Sequence, residues 1–583
     1  MGRLVPLGVA LVAAALYLAG LGDAPFLDPP EGFHAEIARE MAVGGDLVTL
    51  RLNGVRYFDK PPLLYWLMAA GFSTAGVSPF TARLWPALGA VGCAAVTAAL
   101  GVLLSGPRVG LVAGLVVTAN LGVFLYARLV KPDLLFIMFI VLAYAGFTAA
   151  YLGRGGRRGL GLFFAALGLA TLAKDMLGAL APLLVVATFL WITRERTLAH
   201  WSPWWGWALF AGIVVPWYAA VESANPGFLW YTVVDNHLLN VARQRVFPDE
   251  DVPLTALEFV LVTGGAFLPW ALAAPWALAR TLRRDWSGPA DRAWLLFAVW
   301  SLLVIGFFTV APFKLPHYGL PAFPALALLV ARLWDDALAR RPGAPSARAL
   351  TVPIAVVFAL AALAATAAWA GVLPVPRRVV STVDVAARNL AARGQTAAER
   401  PLEAFGPVLV SCALVFAGGA VALGVAAWRR SAELGLAAAV AVMLAFLPAA
   451  GRGMGEFARG RSAGPIVAAL ERRAGPDDVV VHEGALENSG SVLLALRRPV
   501  RVVDGLVSNL AFGSTFPDGR DVFWDASRLR EAWTTPGRRF LVSVRDPETS
   551  VVRWLPAGTV HLLATGGGRR LYSNLADGAP PAR

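Results

Sequence analysis

Apolar stretches of about 20 residues, the length of helix that crosses a bilayer, recur along most of the chain and are separated by short segments that carry arginine. Of the 583 residues, 57% are hydrophobic and only 15% are charged. This pattern excludes an ordinary soluble enzyme and predicts a polytopic α-helical membrane protein. The 13 predicted transmembrane helices cover about residues 4–22, 84–105, 109–127, 134–152, 159–173, 176–193, 205–221, 256–279, 293–311, 317–334, 349–371, 404–427 and 434–450.

The arginines predict the orientation. If the N-terminus is cytoplasmic, the inner connections are rich in arginine, whereas the short outer connections 128–133, 174–175 and 312–316 contain few basic residues. The segment 372–403 carries five arginines and argues against this orientation. We predict a multi-pass protein of the cytoplasmic (inner) membrane with a periplasmic C-terminus. The net charge of +13 then reflects loops that meet lipid headgroups, and nucleic acid is not implied.

Two predicted outer segments, residues 23–83 and 222–255, are too long to be simple turns. The first contains an amphipathic pattern at 31–43, which predicts a helix lying on the membrane surface. Beyond residue 451 the composition becomes that of a soluble protein, with alternating strand-like and helix-like runs. We therefore predict a transmembrane unit, 1–451, and a small outer α/β domain, 452–583.

The lysines predict an anion site. The chain has 51 basic residues, yet only four are lysines, and all four lie in predicted outer loops beside helix ends. An ammonium group is a compact point charge suited to phosphate, so this grouping favours a site for a phosphate headgroup. Chance placement of so few residues is the alternative. The four are Lys60, Lys131, Lys174 and Lys314.

Carboxylates fall on the same predicted face. Together with lysines they could activate an acceptor, neutralise a phosphate leaving group, or hold a divalent cation. Each also has an ordinary alternative: Glu31 and Asp133 could cap helices, and Asp175 could pair with its neighbour Lys174. The acidic residues are Asp28, Glu31, Asp59, Asp133 and Asp175.

The first long loop resembles the family 39-type membrane glycosyltransferases of the GT-C class, and its lipid A-modifying branch in particular. The resemblance is carried by Glu31-Gly-Phe-His-Ala-Glu-Ile-Ala-Arg-Glu-Met41, Gly45-Asp46, Arg51-Leu-Asn-Gly-Val-Arg-Tyr-Phe-Asp-Lys-Pro-Pro62 and Tyr65-Trp66. Shorter matches follow in family order at 127–135, 172–174, 216–218, 226–230, 236–239 and 314–318. One departure is that Pro30 stands where relatives usually have Asp, so either Glu31 or Asp28 is expected to take the acidic role.

The resemblance implies transfer of a sugar from a polyprenyl-phosphate donor to a lipid A or other envelope acceptor, with inversion and no nucleotide cofactor. Glu31, Asp133 and Asp28 are the predicted catalytic acids. A divalent metal ion is a further expectation, with Asp59 and His237 as its ligands. The predicted donor-phosphate ligands are Lys60, Lys314, Arg56, Tyr57, Arg243, Lys131 and Lys174.

Two other classes of function fit the sequence less well. A transporter or flippase would place binding groups near the bilayer midplane on repeated halves, but the ionisable groups gather at helix ends here. A receptor or scaffold would leave the lysines unexplained. A transferase is therefore the favoured hypothesis, and whether its acceptor is a hydroxyl that needs a base or an ionised phosphate stays open.

Overall fold

The computed structural model describes residues 2–195, 197–247, 251–284, 286–373, 382–392, 397–506 and 508–576. Within these ranges seven helices are long and apolar enough to cross a membrane, or up to nine if each of two bent helix pairs counts as one span. The predicted polytopic helical architecture is confirmed, and the count of 13 stays a prediction. Of the arginines behind the predicted orientation, Arg196, Arg377, Arg378 and Arg393 lie outside the described residues.

Local signals set several helix ends. Ser78 Oγ accepts a hydrogen bond from the amide of Thr81, and the amide of Ser78 donates to Thr81 Oγ1 in return. Pro79 occupies the first helical position. Gly45 ends the second helix with φ 70°, a conformation that glycine adopts without strain. The helices of the first half are α1 (Leu4–Leu18), α2 (Glu31–Gly44), α3 (Leu63–Ala75), α4 (Pro79–Ser105), α5 (Pro107–Thr118), α6 (Leu121–Ala127), α7 (Asp133–Tyr151), α8 (Gly156–Ala173), α9 (Leu177–Ile192), α10 (Leu198–Trp201) and α11 (Trp204–Ala224).

The second half contains further long helices and one broken span. A π-helix covers Trp230–Leu239, and 3₁₀ turns cover Trp270–Leu272 and Pro316–Ala322. The remaining helices are α12 (Asn240–Ala242), α13 (Ala256–Ala266), α14 (Ala274–Leu282), α15 (Pro289–Val310), α16 (Phe323–Leu338), α17 (Ala347–Trp369), α18 (Val385–Ala392), α19 (Gly406–Trp428), α20 (Ala432–Arg461), α21 (Gly464–Arg473), α22 (Gly490–Leu496) and α23 (Ala526–Thr534).

Two predicted spans are not straight. The helices of the predicted span 109–127 meet at 59° at Asn120, whose side chain caps α6. The predicted span 256–279 bends by 116° between Ala266 and Trp270, so each arm is shorter than a bilayer crossing. The prediction of one straight helix over 256–279 is wrong, because hydropathy does not register the change of direction.

The strands lie in two sheets. The hairpin β1 (Arg51–Leu52) and β2 (Val55–Arg56) is antiparallel. The other six strands form one sheet in the order β5-β4-β3-β6-β8-β7, in which β3, β4, β5 and β6 are parallel and β8 is antiparallel to both neighbours. They are β3 (Val479–Glu483), β4 (Arg501–Val503), β5 (Phe523–Trp524), β6 (Arg539–Ser543), β7 (His561–Gly566) and β8 (Arg569–Ser573).

Helix α2 forms where the amphipathic pattern predicts it, but it does not lie on an open membrane surface. Residues on every side of it are buried, including the polar His34 and Glu36. Its first turn packs against α22, and a side chain on Gly490 would collide with the backbone of Phe33. The C-terminal sheet region, residues 464–576, therefore covers α2, and the predicted surface-lying helix is wrong in its placement.

Candidate active site

Three of the four lysines gather with two carboxylates on the side of the protein that holds the 23–83 segment. We call this group the lysine cluster: Lys60, Lys131, Lys174, Asp59 and Asp133. Burial lowers the pKa of Lys131, and the charges of Lys174 and Lys60 lower it further, while Asp133 acts in the opposite direction. These mutual effects place side chains from three separate loops within electrostatic reach of one another.

Asp133 is the centre of one half of the cluster. It follows Pro132 and begins α7, where the helix dipole favours a negative charge. Its Oδ1 accepts a hydrogen bond from Lys174 Nζ at 2.6 Å and lies 3.7 Å from His317 Nε2. The ammonium of Lys174 also lies 5.4 Å from the ring centres of Phe136 and Tyr318, so aromatic faces help to hold it.

Asp59 and Lys60 form the other half. Their side chains make an ion pair that is partly exposed, at 20% and 26%. Burial acts to raise the pKa of Asp59, but the neighbouring Lys60, together with Arg245, outweighs burial and leaves that pKa below its ordinary value. Asp59 is therefore a carboxylate at neutral pH, held beside two cations.

A chain of hydrogen bonds leads inward from Asp59. Tyr57 Oη donates to Asp59 Oδ2 at 3.4 Å, Tyr57 bonds to Tyr65, and Tyr65 Oη lies 2.7 Å from His34 Nδ1. Burial first, and then Lys131 and Lys60, lower the pKa of His34 to about 3, so this imidazole is neutral. Tyr57, a predicted phosphate ligand, is buried and supports Asp59 instead.

Lys131 differs from the other lysines. Lys60 pairs with Asp59, and Lys174 pairs with Asp133. Among the described residues no carboxylate lies within ion-pair distance of Lys131, although the side chain is partly buried. A partly buried cation without its own counterion is the group best suited to receive an anionic ligand.

Glu31 occupies a different environment. Its carboxylate is fully buried and forms a two-point ion pair with Arg83, with distances of 2.8 and 2.6 Å. It also accepts from the amides of Leu27 and Val130 at 2.9 and 3.0 Å. Both oxygens are thus engaged with protein groups. This geometry favours a positioning role that joins the first loop to α4 and to the 127–133 loop, and the catalytic role of Glu31 stays a prediction.

Asp28 and Arg56 connect the first loop to the C-terminal sheet region. Asp28 is buried and accepts from the amide and hydroxyl of Ser491. Arg56 donates to Asp518 at 3.0 Å and to Asn225 Oδ1 at 2.8 Å. Among the described residues, neither side chain forms an ion pair or a hydrogen bond with a member of the lysine cluster.

Lys314 and Asp175 have structural partners. Lys314 is buried, and its ammonium donates to the carbonyls of Thr309 and Ala311 at 3.1 and 2.7 Å, which satisfies the end of α15. Asp175 accepts from the amide of Leu177 at 2.8 Å and so helps to begin α9. The alternative in which Asp175 pairs with Lys174 is not what the structure shows, since Lys174 binds Asp133.

The two predicted metal ligands are bound to other protein groups. His237 Nδ1 bonds to the carbonyl of Thr232 at 2.6 Å, and Asp59 is engaged by Lys60. Across the described ranges no three His, Cys, Asp or Glu side chains are grouped so that they could hold a metal ion. A divalent cation held by Asp59 and His237 stays a prediction. Arg243, a predicted phosphate ligand, is exposed.

Sequence reasoning missed Arg245, His34, Tyr65 and His317. His34 lies one helical turn after Glu31, and Tyr65 lies within the quoted family motif, so both were within reach of a helical-face argument. Arg245 could not be separated from Arg243 by spacing alone. The structure separates them because Arg245 Nε lies 3.4 Å from buried Asp235, which also holds the amide of Val246 at 2.6 Å.

The fold and the first loop resemble those of the GT-C glycosyltransferases. The family model for dolichyl-phosphate-mannose-protein mannosyltransferase matches residues 23–232. This range includes Asp59, Lys60, Lys131, Asp133 and Lys174. The resemblance drawn from the motifs is confirmed.

The particular relatives are arabinosyl transferases. The crystal structure of ArnT from Cupriavidus metallidurans bound to undecaprenyl phosphate superimposes with a TM-score of 0.79 at 24% identity, covering 99% of each chain. The undecaprenyl phosphate-alpha-4-amino-4-deoxy-L-arabinose arabinosyl transferases of Shewanella sediminis and Pseudomonas aeruginosa are each 30% identical, over 56% and 57% of this chain. The matched parts span 58% and 60% of those two relatives. The chain therefore has an ArnT-like fold.

Proposed function

We propose that the protein transfers a sugar from a polyprenyl phosphate, such as undecaprenyl phosphate, to a lipid A or other envelope acceptor, with inversion. The observation that carries this proposal is the convergence of Lys60, Lys131 and Lys174 with Asp59 and Asp133 beside the ends of transmembrane helices. The ArnT relatives, which are named for undecaprenyl-phosphate-linked aminoarabinose, support the same donor class.

The leaving group determines what the cations do. A polyprenyl phosphate departs as an anion, so fixed positive charge near its oxygens lowers the barrier without a proton donor. Lys131 is the cation without a carboxylate partner among the described residues, and Lys60 and Arg245 lie beside Asp59. We assign donor-phosphate binding to these three groups.

The acceptor determines whether a base is needed. A sugar or lipid hydroxyl must lose its proton, and Asp133, between Lys174 and His317, is the carboxylate placed to accept it. An acceptor phosphate that is already ionised needs no base, and Asp133 would then hold Lys174 in position. Inversion follows if the acceptor attacks on the face opposite the leaving phosphate.

The proposed topology places this chemistry outside the cytoplasm. The N-terminus would be cytoplasmic in the inner membrane, the 13 predicted spans would include the shorter and bent helices, and 452–583 would be a periplasmic α/β domain. The continuous sheet and its helices support that last assignment, although α20 runs on to Arg461, beyond the predicted boundary. A C-terminal alkaline phosphatase fusion should be active, and activity of a cytoplasm-only reporter there would reverse the assignment.

The test of the proposed activity is release of the carrier. Purified protein is incubated with a radiolabelled sugar on undecaprenyl phosphate and with lipid A, and free undecaprenyl phosphate and labelled lipid A are measured. We expect both to appear in equal amounts. Labelled donor that remains intact across a panel of lipid-linked sugars and acceptors would overturn the proposal. The same assay with and without EDTA tests the predicted divalent metal ion.

A further inference from the structure

A second cluster of charged side chains lies at the opposite end of α15 from the lysine cluster. Helix α15 has 22 residues, about 33 Å at 1.5 Å per residue, which is enough to cross the hydrocarbon core. Asp291 lies in its first turn, whereas His317, which approaches Asp133, follows its last turn. The two clusters therefore face opposite surfaces of the membrane.

The second cluster surrounds a cavity of about 420 Å³. Its lining residues come from the end of α14, the segment just after α14, the first turn of α15 and the turn after α16. They are Arg280, Arg284, Asp291, Arg341 and Pro342. Three guanidinium groups and one carboxylate thus face a space large enough for a phosphate headgroup. We call it the arginine cavity.

One buried carboxylate serves all three arginines. Asp336 is 1% exposed; it accepts from Arg280 Nε at 2.9 Å and from Arg341 Nη1 at 2.8 Å, and it also pairs with Arg284. Arg341 reaches Asp335 at 3.2 Å, but Arg108 approaches that carboxylate as well. Asp291, the one carboxylate in the lining, is approached by Arg332 at 3.4 Å. Among the described residues around the arginine cavity, the arginines therefore outnumber the carboxylates, an arrangement that favours an anionic ligand.

The three arginines differ in how many of their N–H groups are hydrogen-bonded to described residues. Arg280 also donates to the carbonyls of Pro342 and Gly343, at 3.0 and 2.5 Å, so its guanidinium is fixed by the protein. Arg284 makes one ion pair, with Asp336, within the described part of the chain. Arg284 and Arg341 retain N–H groups, and a planar guanidinium matches phosphate oxygens at two points.

An apolar surface adjoins the cavity. Trp276 is 43% exposed and lies four residues before Arg280, on the same face of α14. Leu272 and Leu282 on the same segment are 40% and 38% exposed. An exposed tryptophan beside cationic side chains at a helix end is typical of a membrane interface.

We propose that the arginine cavity binds the phosphate of an anionic phospholipid, with Arg284 and Arg341 on the phosphate and the acyl chains along Trp276. Basic pockets between transmembrane helices are a recognised kind of headgroup site. This site is separate from the transferase site and does not depend on the proposed reaction. Free inorganic phosphate shares the headgroup chemistry but lacks the acyl chains.

The test is lipid binding by the full chain. Detergent-purified protein is titrated separately with phosphatidylglycerol, phosphatidylcholine and inorganic phosphate, and bound adducts are counted by native mass spectrometry. We expect one retained phosphatidylglycerol, weaker phosphatidylcholine binding, and a rise of at least about tenfold in the phosphatidylglycerol dissociation constant for the double variant Arg284→Gln, Arg341→Gln. Trp276→Ala should weaken phosphatidylglycerol binding and leave phosphate binding unchanged.

The matched control removes the same charge from an exposed turn. The double variant Arg429→Gln, Arg430→Gln should bind phosphatidylglycerol as the wild type does, because both residues are exposed. These two arginines lie at the same end of the helix bundle as the arginine cavity, since Arg348, which follows the turn after α16, donates to the carbonyl of Ala427. Equal loss in this control would reduce the effect to general charge and overturn the proposal. Inorganic phosphate binding that depends on Arg284 and Arg341, without retained lipid, would also overturn it in favour of a soluble phosphate. A thermal unfolding midpoint measured for each variant excludes loss through misfolding.

Discussion

Two carboxylate–cation pairs on the same side of the protein are both largely buried but differ in how many protein groups bind each carboxylate. Glu31 and Arg83 are both almost fully buried and bind at two points, and Glu31 accepts two backbone amides as well. Asp133 and Lys174 share one hydrogen bond, and the Lys174 ammonium also lies near two aromatic rings. Both residues belong to the lysine cluster. The first pair is saturated by the protein, whereas the second retains groups that can engage a substrate.

The comparison separates stabilising pairs from reactive ones. An arginine fork that meets a carboxylate at two points fixes geometry, and removing one partner leaves an uncompensated buried charge. A lysine held at one point can exchange its partner for a phosphate. The family resemblance and the carboxylate motif point equally to Glu31 and Asp133, so only the contacts distinguish them.

The largest expected effect is on turnover at Asp133. Asp133→Asn should lower the turnover of a hydroxyl acceptor at least about 100-fold, because it removes the base or the carboxylate that holds Lys174. Initial rates are measured in nanodiscs with labelled donor. Turnover within a few fold of wild type would mean that Asp133 belongs to a stabilising pair and not to a reactive one.

The reverse pattern is expected at Glu31. Glu31→Gln should lower the free energy of unfolding by about 3–5 kcal/mol, since Arg83 then lacks its buried counterion. The folded fraction should retain turnover near that of wild type. Thermal unfolding and activity per folded molecule are measured on the same sample. Normal stability with a 100-fold loss of turnover, about the scale expected for a lost catalytic group, would restore Glu31 as the catalytic acid.

The lysines sharpen the comparison further. Lys131→Met should weaken donor affinity about 10- to 150-fold, because it removes a cation without a carboxylate partner among the described residues. Lys314→Met should leave donor affinity unchanged and lower stability, since this ammonium satisfies carbonyls at the end of α15. The measurement is the dissociation constant of the donor for the Lys131→Met and Lys314→Met variants. A greater loss of affinity in Lys314→Met would contradict the assignment.

The smallest effect concerns the contact between the first loop and the C-terminal sheet region. Burial raises the pKa of Asp28 to about 6, although Arg569 and Ser491 act against it. A raised pKa means that the folded state favours the protonated acid, so this contribution to stability is full below about pH 4 and is lost as the pH rises through about 6. Asp28→Asn should abolish this pH dependence, which amounts to no more than about 3 kcal/mol. Identical slopes of unfolding midpoint against pH from 4 to 7 for both proteins would contradict it.

Much of the local structure could be predicted from the sequence. Apolar length predicts the helices, and strand-like runs predict strands at Val479–His482 and Phe540–Val544. The structure places these strands at Val479–Glu483 and Arg539–Ser543. The missed strand β8 pairs with β6 in an antiparallel register, which depends on a neighbour far away in the chain. The sequence also does not predict the bend between α13 and α14, because hydropathy shows that a segment is apolar and does not show where its helix axis changes direction.

The site was only partly predictable because charge partners lie far apart in sequence. The rarity of lysine identifies Lys60, Lys131 and Lys174 correctly as one group, but it cannot show that Lys314 meets carbonyls. The partner of Glu31 lies 52 residues away, and that of Asp28 lies 463 residues away. Residue type predicts which side chains could take part in the reaction. Their hydrogen-bond and ion-pair partners, which the sequence does not show, decide which of them can bind a substrate.

The central claim is that the lysine cluster catalyses sugar transfer. The most direct measurement is a single-turnover reaction in nanodiscs, which have no second compartment and so cannot report transport. Wild-type protein in excess over labelled undecaprenyl-phosphate sugar should convert the label to acceptor and release undecaprenyl phosphate at the same rate. Asp133→Asn and Lys131→Met should slow both, and Lys314→Met should slow neither. Donor that binds through Lys131 but is never cleaved would contradict the account.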